Sequence, residues 1–288
     1  MLGRGDQNHM TGFFFGTSTS SKRKRKDRCK EKLAGSTIQE TARPPPLMKL
    51  LNEGNTKTVK GEAFGFRTYG LHLAPSTLSG KNVCPSASTG CAAACLNTAG
   101  RGIMRSVQEA RIRKTKWCFE ERDSFLKQLV KEIKSRTKSA IKNNLTPCFR
   151  LNLTSDLAWE KIMPLQFILF PHLQFYDYTK IKKRYERYLD GELPSNYHLT
   201  YSRSETTQDK EVHELCSRGG NVAIVFKDYL PATWQGIRVV NGDINDLRFK
   251  DPRGIVIGLK AKGTAGKKDE TGFALQPSFF STQLEESI

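Results

Sequence analysis

Apolar and polar residues change rhythm three times along this chain. Over 64–73 aromatic and polar positions alternate, the period-two pattern of a strand. From Ile103 the spacing turns helical: Ile103, Val107, Ala110, Ile112, Trp117 and Phe119 predict one helix or a broken pair. Phe125, Leu129, Val130 and Ile133 predict a further helix whose outer face is covered with lysine and arginine. Past Pro147 short apolar runs recur at 148–153, 173–176, 197–201, 221–226, 237–240 and 254–259, closing on polar or charged residues. With 64–73 they make seven predicted strands.

Continuous apolar runs mark strands buried on both faces, and therefore a parallel sheet. In such sheets the active residues gather past the carboxyl ends of the strands, where this chain puts its polar clusters. Some intervals, 226–237 among them, are too short for a full helical crossover. The expected fold is α/β: an irregular or partial (β/α) barrel, TIM barrel-like at its strand-end mouth, with a cysteine-bearing loop after the first strand. Three regions are expected: a basic disordered tail over 1–46, the α/β domain over 47–275 and a flexible C-terminal tail over 276–288.

The loop after the first predicted strand carries Cys84, Cys91 and Cys95, three of the chain's seven cysteines, in a C-x6-C-x3-C pattern. An odd and uneven distribution does not read as a secreted disulfide framework and favours a metal or cluster site in a reduced compartment. Small residues between the thiols let the backbone curl, and the step from Cys91 to Cys95 puts both on one face of a helical turn. A structural zinc wants four ligands, which makes Cys118, His72 or a more distant group the candidate fourth. A [4Fe–4S] cluster on three cysteines leaves one iron open, able to chelate the amino and carboxylate groups of S-adenosylmethionine. The plainest account makes the cysteines small buried hydrophobes. Their position after the first strand of a barrel-like pattern favours the cluster. The arrangement is similar to that of radical S-adenosylmethionine enzymes, which most often use the tighter C-x3-C-x2-C.

Asp156, Asp177, Lys180, Arg203, Glu205, Asp243, Lys260 and Lys262 fall just beyond predicted strands. At the mouth of a barrel, carboxylates would hold a ribose or amino group and cations a phosphate. Asp156, Asp177, Lys180 and Lys260 are the candidate catalytic residues. Asn97, Arg101, Ser155, Arg203 and Glu205 are the candidate cofactor contacts. Ordinary strand-end polarity is the competing account of any one of them. A tyrosine nucleophile within 176–180 would need a metal-binding pair of histidines around one bulky residue, and the five histidines include no such pair.

A net charge of +18 and a pI near 9.7 add a polyanionic partner, a nucleic acid or a nucleotide. The densest basic run, 22–26, lies in the expected tail, and Arg111, Arg113, Lys114 and Lys116 offer a candidate phosphate-contact face. No apolar run reaches the roughly 18 residues of a membrane span. No membrane partner is expected, and the expected compartment is the cytoplasm, that of the host cell for a phage-encoded protein.

Several stretches carry a closer likeness: 68–75; Cys84-Pro85 with 90–102; Arg150-Leu151-Asn152 with Thr154-Ser155-Asp156; 175–180; and 258–263. Together they resemble an uncharacterised bacteriophage family known as gene product 88, over roughly 47–273. The resemblance implies a phage or mobile-element origin and no established reaction. The functional expectation is an iron–sulfur enzyme of radical S-adenosylmethionine type acting on a nucleotide or nucleic acid. The alternative is a non-catalytic nucleic-acid-binding phage protein with a structural zinc at the same cysteines.

Overall fold

The computed structural model describes residues 48–53, 57–263 and 267–277, all within one compact unit. The expected tail over 1–46, and all but two residues of the one over 276–288, lie outside the described residues. The chain begins with β1 (Leu51–Glu53) and β2 (Phe66–Leu71). Then α1 (Thr89–Ala93), α2 (Arg105–Glu120) and α3 (Arg122–Lys142) precede β3 (Thr146–Arg150). Next, α4 (Trp159–Ile162) and α5 (Pro164–Leu169) lead to β4 (Gln174–Thr179), α6 (Lys182–Leu189) to β5 (Tyr197–Ser202), and α7 (Asp209–Ser217) to β6 (Val222–Phe226). The last part holds β7 (Thr233–Trp234), β8 (Ile237–Asn241), β9 (Val256–Lys260) and β10 (Ala274–Leu275). Each of the seven predicted strands is present, shifted by a few residues at most.

The strands form one sheet in the order β1-β2-β3-β4-β5-β6-β9-β8-β7, with β10 pairing β6. From β2 through β6 to β9 and β8 all pairings are parallel. Antiparallel pairs occur at the two ends, β1 on β2 and β7 on β8. From β2 to β6 each strand lies beside its predecessor and each crossover carries helix, as parallel neighbours require. The path does not close on itself. Between β6 and β8 the short interval holds a hairpin instead of a helix. Gln235 and Gly236 both take positive φ, 47° and 82°, as a two-residue type I′ turn requires. β9 then takes the place beside β6, and β8 lies outside it.

Successive strand residues face opposite sides, and the two sides differ in chemistry. Tyr69, Leu71, Phe149, Phe175, Leu199 and Ile224 face the helices and join the main apolar cluster. α3 contributes Phe125, Leu129 and Ile133 to it, at the four-residue step that stacks side chains on one helix face. The two-helix break expected from the sequence falls at Glu121, whose φ of −132° and ψ of 56° end α2 and begin α3. On the other side of the sheet, Thr68, Cys148, Arg150, Tyr176 and Tyr178 lie under the segment 245–251, whose Leu247 packs on Cys148 and Tyr176. Among the described residues no helix is long and apolar enough to cross a membrane.

The expected phosphate face on α2 is not formed as such. Lys114 is buried and donates to the Leu50 carbonyl at 2.9 Å. Arg111 turns toward the cysteine loop, leaving Arg113 and Lys116 exposed.

Candidate functional site

The loop between β2 and α2 is tied down where it leaves the strand. Thr154 Oγ1 donates to the Leu73 carbonyl at 2.6 Å, and the Ser76 amide donates to Cys84 Sγ at 3.3 Å. Farther along, Ser88 caps α1 and accepts from the Cys91 amide at 3.2 Å. Glu205, just past β5, closes this turn from outside. Its Oε2 accepts from Ser88 Oγ and its Oε1 from the Gly90 amide, each at 2.6 Å. Burial works against the Glu205 carboxylate, but these hydrogen bonds and the nearby Lys180 ammonium hold it below the usual range.

Cys84, Cys91 and Cys95 are half-buried, whereas Cys118, Cys148 and Cys216 are buried. Burial pushes the Cys84 thiol up to about 11, with Cys95, Cys91 and Asp156 adding to the effect. Cys91 is also raised by burial, against the pull of Lys180. Arg111 stands beside Cys95: burial lowers its guanidinium and Cys95 opposes that. Its Nη1 is bonded to Asn97 Oδ1 and its buried Nε has no hydrogen-bond partner.

The other predicted site residues separate into groups. Lys180 is at this mouth, its ammonium bonded to Ser202 Oγ at 2.9 Å and to the Arg203 carbonyl at 3.0 Å. Arg203 is 8% exposed, donates to the Gly272 carbonyl at 2.9 Å, and keeps a buried Nε without a hydrogen bond. Asp156 is spent on structure: Oδ2 accepts from the Lys180 amide at 2.7 Å and Oδ1 from Arg184 at 3.1 Å. Ser155 donates to Asn152 Oδ1 at 2.8 Å. Asn97 is buried beneath Cys95, and Arg101 is exposed in the turn after it. Lys260 ends β9, and its amide donates to Asp243 Oδ2 at 2.9 Å.

Asp177 departs from expectation. It lies inside β4 rather than beyond it, fully buried on the helix-facing side, and accepts from the Asn152 amide at 2.8 Å and Tyr197 OH at 2.7 Å. The strand continues through Tyr178 and Thr179, which the polar composition of 177–180 disguised. Sequence reasoning also missed Arg184, whose fully paired guanidinium bridges Asp156 and Glu160. In the sequence it is part of a Lys-Lys-Arg run that reads as a solvated face.

Among the described residues no three His, Cys, Asp or Glu side chains surround a position for one metal ion. Thiolates on one zinc lie within about 4 Å of each other, given Zn–S bonds near 2.3 Å. Neither candidate fourth ligand joins the thiols. Cys118 packs in the main apolar cluster. Burial, with Arg111, Lys114 and Arg150, pushes His72 down to about 3, and its Nδ1 is 3.4 Å from Asn52 Nδ2.

A second feature lies on α3. Lys127, Lys131, Lys134, Lys138 and Lys142 are all exposed, at steps of four, three, four and four residues. The helix's carboxylates are Asp123 and Glu132, and Glu132 turns inward to accept from the Leu50 and Leu51 amides at 2.8 Å each. Like charges at this spacing repel, so the stripe costs the helix a little stability.

The family model described as Gene product 88 matches residues 48–277. Neither a curated protein nor a solved structure matches the chain.

Proposed function

Because this chain belongs to the phage gene product 88 family, a family for which the sequence supplies no reaction, we propose a function from the cysteine loop itself. Cys84, Cys91 and Cys95 hold a [4Fe–4S] cluster, one iron is left for S-adenosylmethionine, and the substrate is a nucleotide or nucleic acid. The sheet serves as a partial (β/α) barrel with the loop at its mouth. One observation carries this reading: three half-buried thiols lie on one loop past the end of β2, and among the described residues neither Cys118 nor His72 joins them as a fourth ligand. A zinc site closed by four protein ligands needs that fourth group, whereas a cluster with an open iron does not.

When bound, such a cluster supplies electrons for reductive cleavage of the cofactor. The chain's own residues do the rest. Lys180 sets positive charge beside Cys91, and Arg111 beside Cys95, which offsets the negative charge of bound thiolates. Glu205 holds the Cys91 turn against the end of β5. Arg203 has a buried donor to give to a cofactor carboxylate. The lysine stripe on α3 suits a phosphate backbone and supports the nucleic-acid part of the reading.

The test is anaerobic purification followed by iron, acid-labile sulfide and zinc per chain, for the wild type and for Cys84→Ala, Cys91→Ala and Cys95→Ala. About four irons and four sulfides per chain, lost in each variant, are expected. Stoichiometric zinc without iron would overturn the cluster and leave a non-catalytic nucleic-acid-binding protein. Metal content indifferent to all three substitutions would overturn the shared site.

A further inference from the structure

The side of the sheet away from the helices holds a concentration of unspent polar groups. Among the described residues twelve buried side-chain atoms lack a hydrogen-bond partner, and eight belong to Arg150, Tyr178, His198, Thr200 and the covering residues Asp246, Arg248 and Asp251. Native interiors leave few such atoms, and a cluster of them calls for an explanation.

Three of the eight are accounted for by ion pairs: Asp246 Oδ1 faces Lys57 Nζ, and Arg248 Nε faces Asp251 Oδ2, both at 3.2 Å. What remains is Arg248 Nη1, Arg150 Nε, Tyr178 OH, Thr200 Oγ1 and His198 Nε2. All five can donate. Arg150 Nε has only Asp177 Oδ1, at 4.0 Å through the sheet. Tyr188 OH lies 2.9 Å from His198 Nδ1, and when it donates there the ring proton is on Nε2. The two carboxylate atoms in the group already face cations, so apart from the two hydroxyls, which can also accept, only donors are left over.

These donors are neighbours. Tyr178 and Thr200 are register partners on β4 and β5, with Tyr176 and His198 two positions before them on the same face. The Arg150 guanidinium lies 4.6 Å from the centre of the Tyr178 ring, with Lys57 at 5.8 Å. Arg248 is 1% exposed and acts electrostatically on His198. Gly242 packs closely against this arginine: a Cβ there would lie 2.7 Å from Arg248 Nη1 and 2.5 Å from Ile257 Cγ2, so the guanidinium is held in place from that side. Arg150 and Lys57 side chains remain 12% and 26% exposed, so the group meets solvent at one edge.

We infer that this face binds one oxyanion, a phosphate group either free or carried by a nucleotide, between Arg248, Arg150, Tyr178 and Thr200. An excess of buried donors with cations among them calls for a ligand that offers only lone pairs, and phosphate does so. The inference goes beyond the cysteine reading and stands whether or not a cluster forms.

The experiment is thermal unfolding of the full chain in inorganic phosphate, in adenosine monophosphate and in sodium chloride at matched ionic strength. A specific site raises Tm by roughly 5–10 °C at a hundredfold excess over its Kd, and chloride does not. A rise with phosphate alone assigns a free anion, and a larger rise with the nucleotide assigns the nucleotide. Tyr178→Phe and Thr200→Val each remove one unpaired hydroxyl with little change of shape. Both should match or exceed the wild-type Tm without ligand and lose at least half of the ligand-induced rise. A hydroxyl that meets only water gives variants with an undiminished rise, and that result, like an equal effect of chloride, would overturn the proposal.

Discussion

The Gly90 amide and the Glu205 carboxylate meet at 2.6 Å, so that the turn presenting Cys91 is fastened to the end of a strand more than a hundred residues later. Because Ser88 takes the other oxygen, each oxygen of Glu205 already serves the loop, which makes this residue a support for the cysteines. Glu205→Gln puts an NH2 group against one of two donors. With charge-assisted hydrogen bonds worth about 1.5–3 kcal/mol, the loss of one should open the turn by about 1–2 kcal/mol, or roughly 5–30-fold in local exchange. Amide exchange at Gly90 and Cys91 should speed up while the global Tm changes little. Unchanged exchange would mean that the capping of α1 by Ser88 is sufficient alone.

Gly90 itself should tolerate no side chain. A Cβ there would lie 2.1 Å from Thr271 Oγ1, 2.8 Å from Phe273 Cβ and 2.9 Å from the Glu205 carboxyl carbon. Gly90→Ala should destabilise by about 1–3 kcal/mol through overpacking, and Thr271→Ala in the same chain should recover part of that loss. Chemical denaturation of the two single variants and the double variant measures the recovery. A strictly additive double variant would show that Thr271 is not the obstacle.

How much of this was legible in the sequence follows from the range of each interaction. The strands over 64–73 and 254–259 could be read because apolar periodicity is local, and the helix break at Glu121 likewise. The sheet order could not, because the exchange of β8 and β9 depends on a hairpin at Gln235 and Gly236 that fills the place of a crossover. The cysteines stood out through their spacing. Their fastening did not, since Ser88 and Glu205 are 117 residues apart. Lys114 and Asp177 were misplaced for one reason: a charge in a polar stretch reads as exposed, and only tertiary partners such as the Leu50 carbonyl or Tyr197 OH reveal it as buried.

The lysine stripe on α3 yields a prediction that does not involve the cysteines. In a combined Lys127→Gln, Lys131→Gln, Lys134→Gln and Lys138→Gln variant, the salt dependence of binding to a random-sequence duplex should weaken by about 3–4 in slope. The iron content should be unaffected, and Tm should stay level or rise, because repelling neighbours have been removed. Fluorescence anisotropy across a salt series supplies the slope. An unaltered slope would move the polyanion contact off this helix. No binding by the wild type at low salt would remove the nucleic-acid part of the proposed function.

Asp177 supplies a pH test that separates support from catalysis. Burial raises its carboxyl to about 7, against the pull of Arg150 and the hydrogen bonds from Tyr197 and Asn152, while the unfolded chain ionises near the ordinary 3.8. Between those values the folded protein holds a proton that the unfolded chain lacks, so this group makes stability fall as pH rises through the window. His72 and His198, lowered by burial to about 3 and about 4, act the other way: stability is lost as pH falls below about 6.5 and the unfolded chain takes up protons. The wild-type profile mixes both, but the histidines cancel in a comparison with Asp177→Asn, which keeps an oxygen for the Asn152 amide and cannot ionise. The variant should therefore gain on the wild type from pH 4.5 to 7.5, by on the order of 2–4 kcal/mol, and hold that gain at higher pH. A difference that is flat across the window would mean an Asp177 carboxylate ionised throughout, paired with Arg150 through the sheet.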